Sequence, residues 1–320
     1  MSLNQKIITP PKSDSARLDV FLSDYLKTSR NQVQKMIEKK QVKINKKYPK
    51  KAGARVKSND IIIITEEKKP TIAQKKATLK KEKKFKFNLI AETSDYLVVN
   101  KPAGQLTHPT LAGETNTLVN NVLEEYPEIK DVGEDKIRPG IVHRLDKQAS
   151  GLLVIAKNNK SFKNLKKQFK DRAVDKYYKV LVYGKIDTVV DIIDLPIVRS
   201  RKQEKMTAIP KTVKGLETDK GKKAITEFEV EKNFINFTFL DVRLLTGRMH
   251  QIRVHMLSYN HPVVGDTLYY QKKNLRANHP EINRLFLHCY KLEFKDLKKE
   301  QQSFIIKLPS ELSKFLKNIK

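Results

Sequence analysis

Arg138-Pro139-Gly140-Ile141-Val142-His143-Arg144-Leu145-Asp146-Lys147, with Ser150-Gly151-Leu152-Leu153-Val154 close behind, is the stretch on which the reading of this chain turns. Pro139-Gly140 signals a turn, because proline presets φ and glycine accepts backbone angles that other residues resist. Gly151–Lys157 carries Leu152-Leu153-Val154-Ile155-Ala156, an apolar run short enough for a buried strand. Asp146 therefore falls in a short connection between a turn and a core strand, where rigid backbone can aim a carboxylate into a cleft. A single loop aspartate is more often a turn former or a surface charge. Its neighbours decide the case.

Upstream, Tyr96-Leu97-Val98-Val99-Asn100 reads as a strand entering a Lys101-Pro102-Ala103-Gly104 turn. Downstream, Ala224–Glu231 alternates, with Phe228 and Val230 facing in and Glu227, Glu229 and Glu231 facing out. Phe234–Leu245 is a further long strand. Helices are predicted at Asn159–Arg172, Gly247–Tyr259 and Ser310–Asn318, with Thr246 placed to cap the second of these. Residues 87–320 thus predict an α+β domain on a mostly antiparallel, mixed sheet.

Residues 15–65 carry a different pattern. Leu18, Phe21, Leu22 and Tyr25 recur at helical spacing behind possible caps at Ser13, Asp14 and Ser15. Ser29 caps a second short helix with Val33, Met36 and Ile37 on one face and Arg30, Lys35, Lys39 and Lys40 on the other. Short β segments follow at Gln41–Asn45 and Asp60–Thr65. Residues 66–86 are dominated by lysine and read as a basic linker or arm.

Lys and Arg together number 65 against 36 Asp and Glu, a formal net charge of +29. An excess of that size attracts polyanions, nucleic acid foremost. An anionic membrane surface would feel the same pull, but nothing in the sequence is specific to lipid. Cys289 is the only cysteine, which excludes an internal disulfide and a cysteine-rich zinc cage. No apolar run approaches the roughly 18 residues of a membrane span. The first residues hold no apolar signal core, so a cytoplasmic protein is expected. His250 and His255 lack the spacing of a zinc-binding helix, and no metal or other cofactor is expected.

Three blocks together resemble the RluA-type pseudouridine synthases. The first is the opening stretch, continued by Ala156-Lys157. The second is Asp175-Lys176-Tyr177-Tyr178-Lys179-Val180, and the third is Leu245-Thr246-Gly247-Arg248-Met249-His250-Gln251-Ile252-Arg253-Val254-His255. The resemblance implies that Asp146 is the catalytic aspartate and that Arg253 pairs with it. A bidentate arginine would fix the carboxylate and favour its ionised form. It also implies that Tyr178 packs on the uracil ring, its phenol oxygen a candidate base for the carbon 5 proton. Strand alternation sends Tyr177 to the opposite face. Arg144 would enter the RNA stack where the uridine has been displaced, and Arg248 would contact RNA nearby. Gln148-Ala149 departs from the acidic residue and threonine that the family commonly has there.

The first region resembles the S4 RNA-binding domain through Arg17-Leu18-Asp19, Ser29-Arg30, Val33, Met36-Ile37, Val42, Ile44-Asn45 and Asp60. Arg30, Lys35 and Lys39 are then the expected RNA contacts. Lys40 and Lys46 stand where the family favours glycine, and Lys46 is expected to need an adjusted turn. The joint resemblance implies an enzyme acting on structured RNA, with large-subunit (23S-type) ribosomal RNA as the expected substrate and transfer RNA as the alternative; a monomer is expected.

Overall fold

The computed structural model describes residues 4–9, 16–49, 51–65, 87–110, 112–200, 205–210, 212–213, 216–217, 221–271 and 280–320. The chain divides into two compact units, 1–82 and 83–320. The basic stretch 66–86 and the expected caps Ser13, Asp14 and Ser15 lie outside the described residues.

In the first unit, β1 (Asn4–Ile8), β5 (Ile61–Thr65) and β3 (Val42–Ile44) form an antiparallel sheet in the order β1-β5-β3. A two-residue pair, β2 (Ala16–Arg17) and β4 (Arg55–Val56), lies apart from it. Alternation along β5 buries Ile62 and Ile64 against Leu18 and Leu22 of α1 (Leu18–Tyr25) and Val33 and Ile37 of α2 (Arg30–Glu38). Each such side chain, removed from water, contributes about 2 kcal/mol. β1, paired with β5, precedes the region 15–65 marked by hydrophobic pattern.

Ser29 caps α2 as expected, in a reciprocal box with Gln32. Helix α1 is capped differently. Arg17 occupies the cap position without a side-chain bond to the helix's free backbone amides, and Asp19 sits in the first turn. The turn at Lys46 is not adjusted. Asn45 (φ 46°) and Lys46 (φ 68°) both take the left-handed conformation, as does Lys40 (φ 56°). The Asn45 side chain holds the turn, donating to Asp60 Oδ1 at 2.7 Å and accepting from the Ile61 amide at 2.8 Å.

The second unit is built on a nine-stranded sheet. Its strands are β6 (Asn88–Glu92), β7 (Tyr96–Lys101), β8 (Ser150–Ala156), β9 (Asp175–Tyr183), β10 (Val190–Asp194), β15 (Ile225–Asn233), β16 (Phe237–Leu244), β17 (Leu287–Lys295) and β18 (Gln301–Ile305). The order is β10-β15-β16-β9-β17-β8-β7-β6, with β18 beside β17. Small hairpins β11 (Ile197–Arg199) with β12 (Met206–Ala208), and β13 (Thr212–Val213) with β14 (Leu216–Glu217), lie outside it. Every pairing in the large sheet is antiparallel except that of β8 with β17. This matches the mixed, mostly antiparallel sheet expected from sequence.

All seven residues of β8 are buried, which explains why it reads as an unbroken apolar run. Its neighbour approaches so closely that a Cβ on Gly151 would lie 2.2 Å from the Cys289 carbonyl oxygen, and Gly151 also has φ +123°. Only glycine fits there. The helix Asn159–Asp171, capped by Asn158, buries Phe162 and Leu165. The helix expected from Gly247 starts instead at Gln251, and Thr246 does not cap it. Thr246 accepts from the Ile225 amide at 2.9 Å and donates to Gln251 Oε1 at 2.7 Å, stitching the helix to β15.

Candidate active site

Asp146 lines a cleft of about 550 Å³. Its loop is held from beneath. Thr107 Oγ1 donates to the Leu145 carbonyl at 3.2 Å, and the Gly104 amide donates to the Lys147 carbonyl at 2.7 Å. The fully buried Lys101 ammonium donates to the carbonyls of Pro102 and Gln105, each at 2.8 Å, and reaches that of Lys147 at 3.4 Å. Burial pulls the Lys101 pKa down to about 7. The Lys101-Pro102-Ala103-Gly104 turn, read from sequence as structural, therefore buttresses the loop that carries Asp146.

His143 serves the same loop. Its Nε2 accepts the Val154 amide at 3.0 Å and its ring stacks on Phe169 at 4.4 Å. Burial drives its pKa down to about 3, so it is a neutral acceptor that ties the loop to β8.

Arg253 Nη1 donates to Asp146 Oδ2 at 3.2 Å, joining two residues 107 apart in the chain. The bidentate pair expected between them is made elsewhere. Arg253 Nε and Nη2 donate to Asp266 Oδ2 and Oδ1 at 2.7 and 2.9 Å. Burial works against the Arg253 charge, but the bonds to Asp266 and Asp146 outweigh it and its pKa is raised. Arg253 thus turns one remaining donor toward Asp146 while Asp266 holds its fork. Asp266 Oδ1 also accepts the amides of Leu268 and Tyr269, both at 2.8 Å. Asp266 and Tyr269 were missed from sequence, because neither stands in a block that signals chemistry.

Tyr178, on β9, lines the cleft together with Asp146, and Tyr177 lies on the other face beneath Lys291 and Arg243. Burial, with the Cys289 thiol alongside, raises the Tyr178 phenol well above its ordinary value, so it stays protonated at neutral pH. Arg144 is exposed at the cleft and takes part in no ion pair among the described residues. Arg248 also lines the cleft, its Nε donating to the Lys223 carbonyl at 3.0 Å. Lys170 and Arg172, at the end of the helix Asn159–Asp171, add cations that sequence reasoning did not single out.

His255 is internal. Its Nε2 lies 2.9 Å from the Leu195 carbonyl and its Nδ1 2.9 Å from Thr226 Oγ1. Arg30, Lys35 and Lys39 belong to the first unit, where all three are exposed. There the buried Asp19 carboxylate accepts from Arg17 Nε and Nη2 at 3.0 Å, from Arg30 at 3.2 Å and from Gln34 at 3.3 Å.

An arginine-held aspartate, a buried tyrosine and a cationic rim meet in one cleft, an arrangement suited to an anionic polymer. The family profile described as RNA pseudouridylate synthase matches residues 95–258, and that of the S4 domain matches residues 16–62. A protein of Aquifex aeolicus named as an uncharacterized RNA pseudouridine synthase is 35% identical over 272 residues, covering 84% of this chain and 81% of its own. Ribosomal large subunit pseudouridine synthase D of Borreliella burgdorferi is 34% identical over 311 residues, covering 96% and 90%. Among solved structures, human RNA pseudouridylate synthase domain containing 4 has a TM-score of 0.57 at 22% identity, over 72% of this chain and 92% of its own, a likeness of fold. The chain belongs to the RluA-type RNA pseudouridine synthases and carries an S4 domain, so it is an isomerase of uridine in RNA.

Proposed function

We propose that the chain isomerises specific uridines in large-subunit ribosomal RNA after flipping the base into the cleft, with Asp146 as the acting group. In this isomerisation the bond from C1′ to N1 breaks and one from C1′ to C5 forms. C5 gives up a proton and N1 gains one, so nothing is oxidised or reduced. The placement of Asp146 carries the reading, its carboxylate held through Oδ2 by a buried arginine while its side chain still reaches the cleft. Arg144 fills the gap left by the displaced base, a task its flat guanidinium suits. Tyr178 packs against the uracil ring. A protonated, buried phenol suits that role better than removal of the C5 proton. Arg248 adds a contact to RNA at the cleft, while Arg30, Lys35 and Lys39 contact the substrate from the S4 domain. The large-subunit substrate follows the name of the relative from Borreliella burgdorferi.

Pseudouridine mapping of total RNA from cells carrying wild-type, Asp146→Ala or Asp146→Asn protein tests this. The same sites should vanish in both variants while the proteins stay folded and bind RNA. Unchanged pseudouridine at every site would remove Asp146 from the chemistry, and lost sites in transfer RNA alone would overturn the substrate.

A further inference from the structure

His250 lies on the opposite side of Asp146 from Arg253, its Nε2 4.0 Å from Asp146 Oδ1. It takes a left-handed backbone (φ 57°, ψ 22°) at the head of the helix Gln251–Ser258 without capping it through its side chain. Such a conformation is costly for a residue other than glycine and concentrates at functional sites. The ring is fixed by Tyr269, whose hydroxyl lies 2.9 Å from Nδ1 and whose ring meets the imidazole edge-on at 5.5 Å.

Hydrogen-bond accounting sets the tautomer. The Tyr269 oxygen accepts the Met206 amide at 2.7 Å. Its own hydrogen still needs an acceptor, and His250 Nδ1 is the one in reach among the described residues, so we assign the bond in that direction. Nδ1 is then unprotonated, and the hydrogen of the neutral ring sits on Nε2, facing Asp146. Burial lowers the His250 pKa, Asp146 and Asp266 opposing and Arg253 and Arg144 assisting, which keeps the ring neutral.

We propose that His250 is a positioning residue for Asp146, its Nε2–H closing on Oδ1 when a uridine fills the cleft. The inference rests on the reading of Asp146 given above. Both supports of the carboxylate then originate at one buried residue. Asp266 holds Arg253, which takes Oδ2, and it accepts the Tyr269 amide, which places the hydroxyl that orients His250 toward Oδ1. The Tyr269 ring also lies under the Arg253 guanidinium at 4.9 Å, so the two arms pack on each other. A carboxylate gripped from two sides keeps its orientation while the base is turned within the cleft.

The test uses the full chain and protein-free large-subunit ribosomal RNA transcribed with uridine tritiated at carbon 5, so that tritium release reports turnover. Asparagine tolerates the left-handed backbone and places an amide near the Nδ1 position, but nothing at Nε2. Glutamine can reach the Nε2 position. His250→Asn should lower kcat per folded molecule about 10- to 100-fold, the range of a hydrogen bond to a charged group. KM should stay within about twofold, and His250→Gln should recover most of the lost rate. A kcat for His250→Asn equal to wild type, or equal impairment of both variants, would overturn the proposal. No tritium release from the wild-type protein would instead count against the reading of the site as a whole.

Discussion

The two units each join an aspartate to arginine, with the exposure reversed. In the first unit Asp19 is the buried partner, its side chain 0% exposed, while Arg17 and Arg30 are 53% and 54% exposed. In the second unit Arg253 is buried at 6% and Asp146 is only half-buried, at 16%. The buried member holds and the exposed member is presented. Asp19 presents two guanidinium groups, which suit phosphates. Arg253 presents a carboxylate inside a cationic cleft, which suits the role proposed for Asp146. Under the proposed function the same ion pair would serve binding in one unit and catalysis in the other, according to which member faces outward.

The largest effect is expected from Asp146→Asn, which keeps shape and removes the carboxylate proposed to act. Turnover of large-subunit RNA should fall at least about a thousandfold with RNA affinity little changed. A residual rate above a tenth of wild type would remove the Asp146 carboxylate from the chemistry. Next, Asp266→Ala should leave Arg253 buried without its main partner. Unfolding of the second unit in urea should show a loss of about 3 kcal/mol or more, with a fall in kcat. An unaltered midpoint would mean that Arg253 is held by other contacts.

In the first unit, Arg17→Ala or Arg30→Ala should weaken RNA binding several-fold without altering the chemical step. Each should reduce the slope of log affinity against log salt by about 0.7–0.9, the signature of one lost phosphate contact. An unchanged slope would assign these arginines to the fold alone. The smallest effect is expected from Asp19→Asn, about 1 kcal/mol for the first unit. Bonds from Arg17, against the opposing effect of burial, hold the Asp19 carboxyl well below its ordinary pKa. Its contribution is therefore present above an unfolded value of about 3.9 and is lost as pH falls toward the depressed folded value. Acid titration of first-unit amide signals should show that loss in the wild type and not in the variant.

Elements whose identity rests on local rules were legible in the chain. The run at β8, the alternation at β15, the Ser29 cap and the helix Ser310–Asn318 all lie where periodicity and capping place them. Asp146, Tyr178, Arg144, Arg248 and Arg253 were legible as blocks, and the fold brings them to one cleft. Three expectations failed where a distant partner outweighed a local preference. Thr246 serves β15 rather than a helix end, Asp60 steadies the turn at Lys46, and the fork of Arg253 goes to Asp266.

Sequence by itself determined the class of the chain, because an apolar period, a charge excess and spaced blocks are properties of residue order. It also determined which aspartate is the candidate for chemistry. Tertiary structure alone decided how that aspartate is held. Asp146 and Arg253 are 107 residues apart, and the Tyr269 hydroxyl is brought to His250 across 19. Asp266 and Tyr269 carry no local signal, since a buried hydrogen-bond partner is chosen by proximity after folding and leaves no period in the chain.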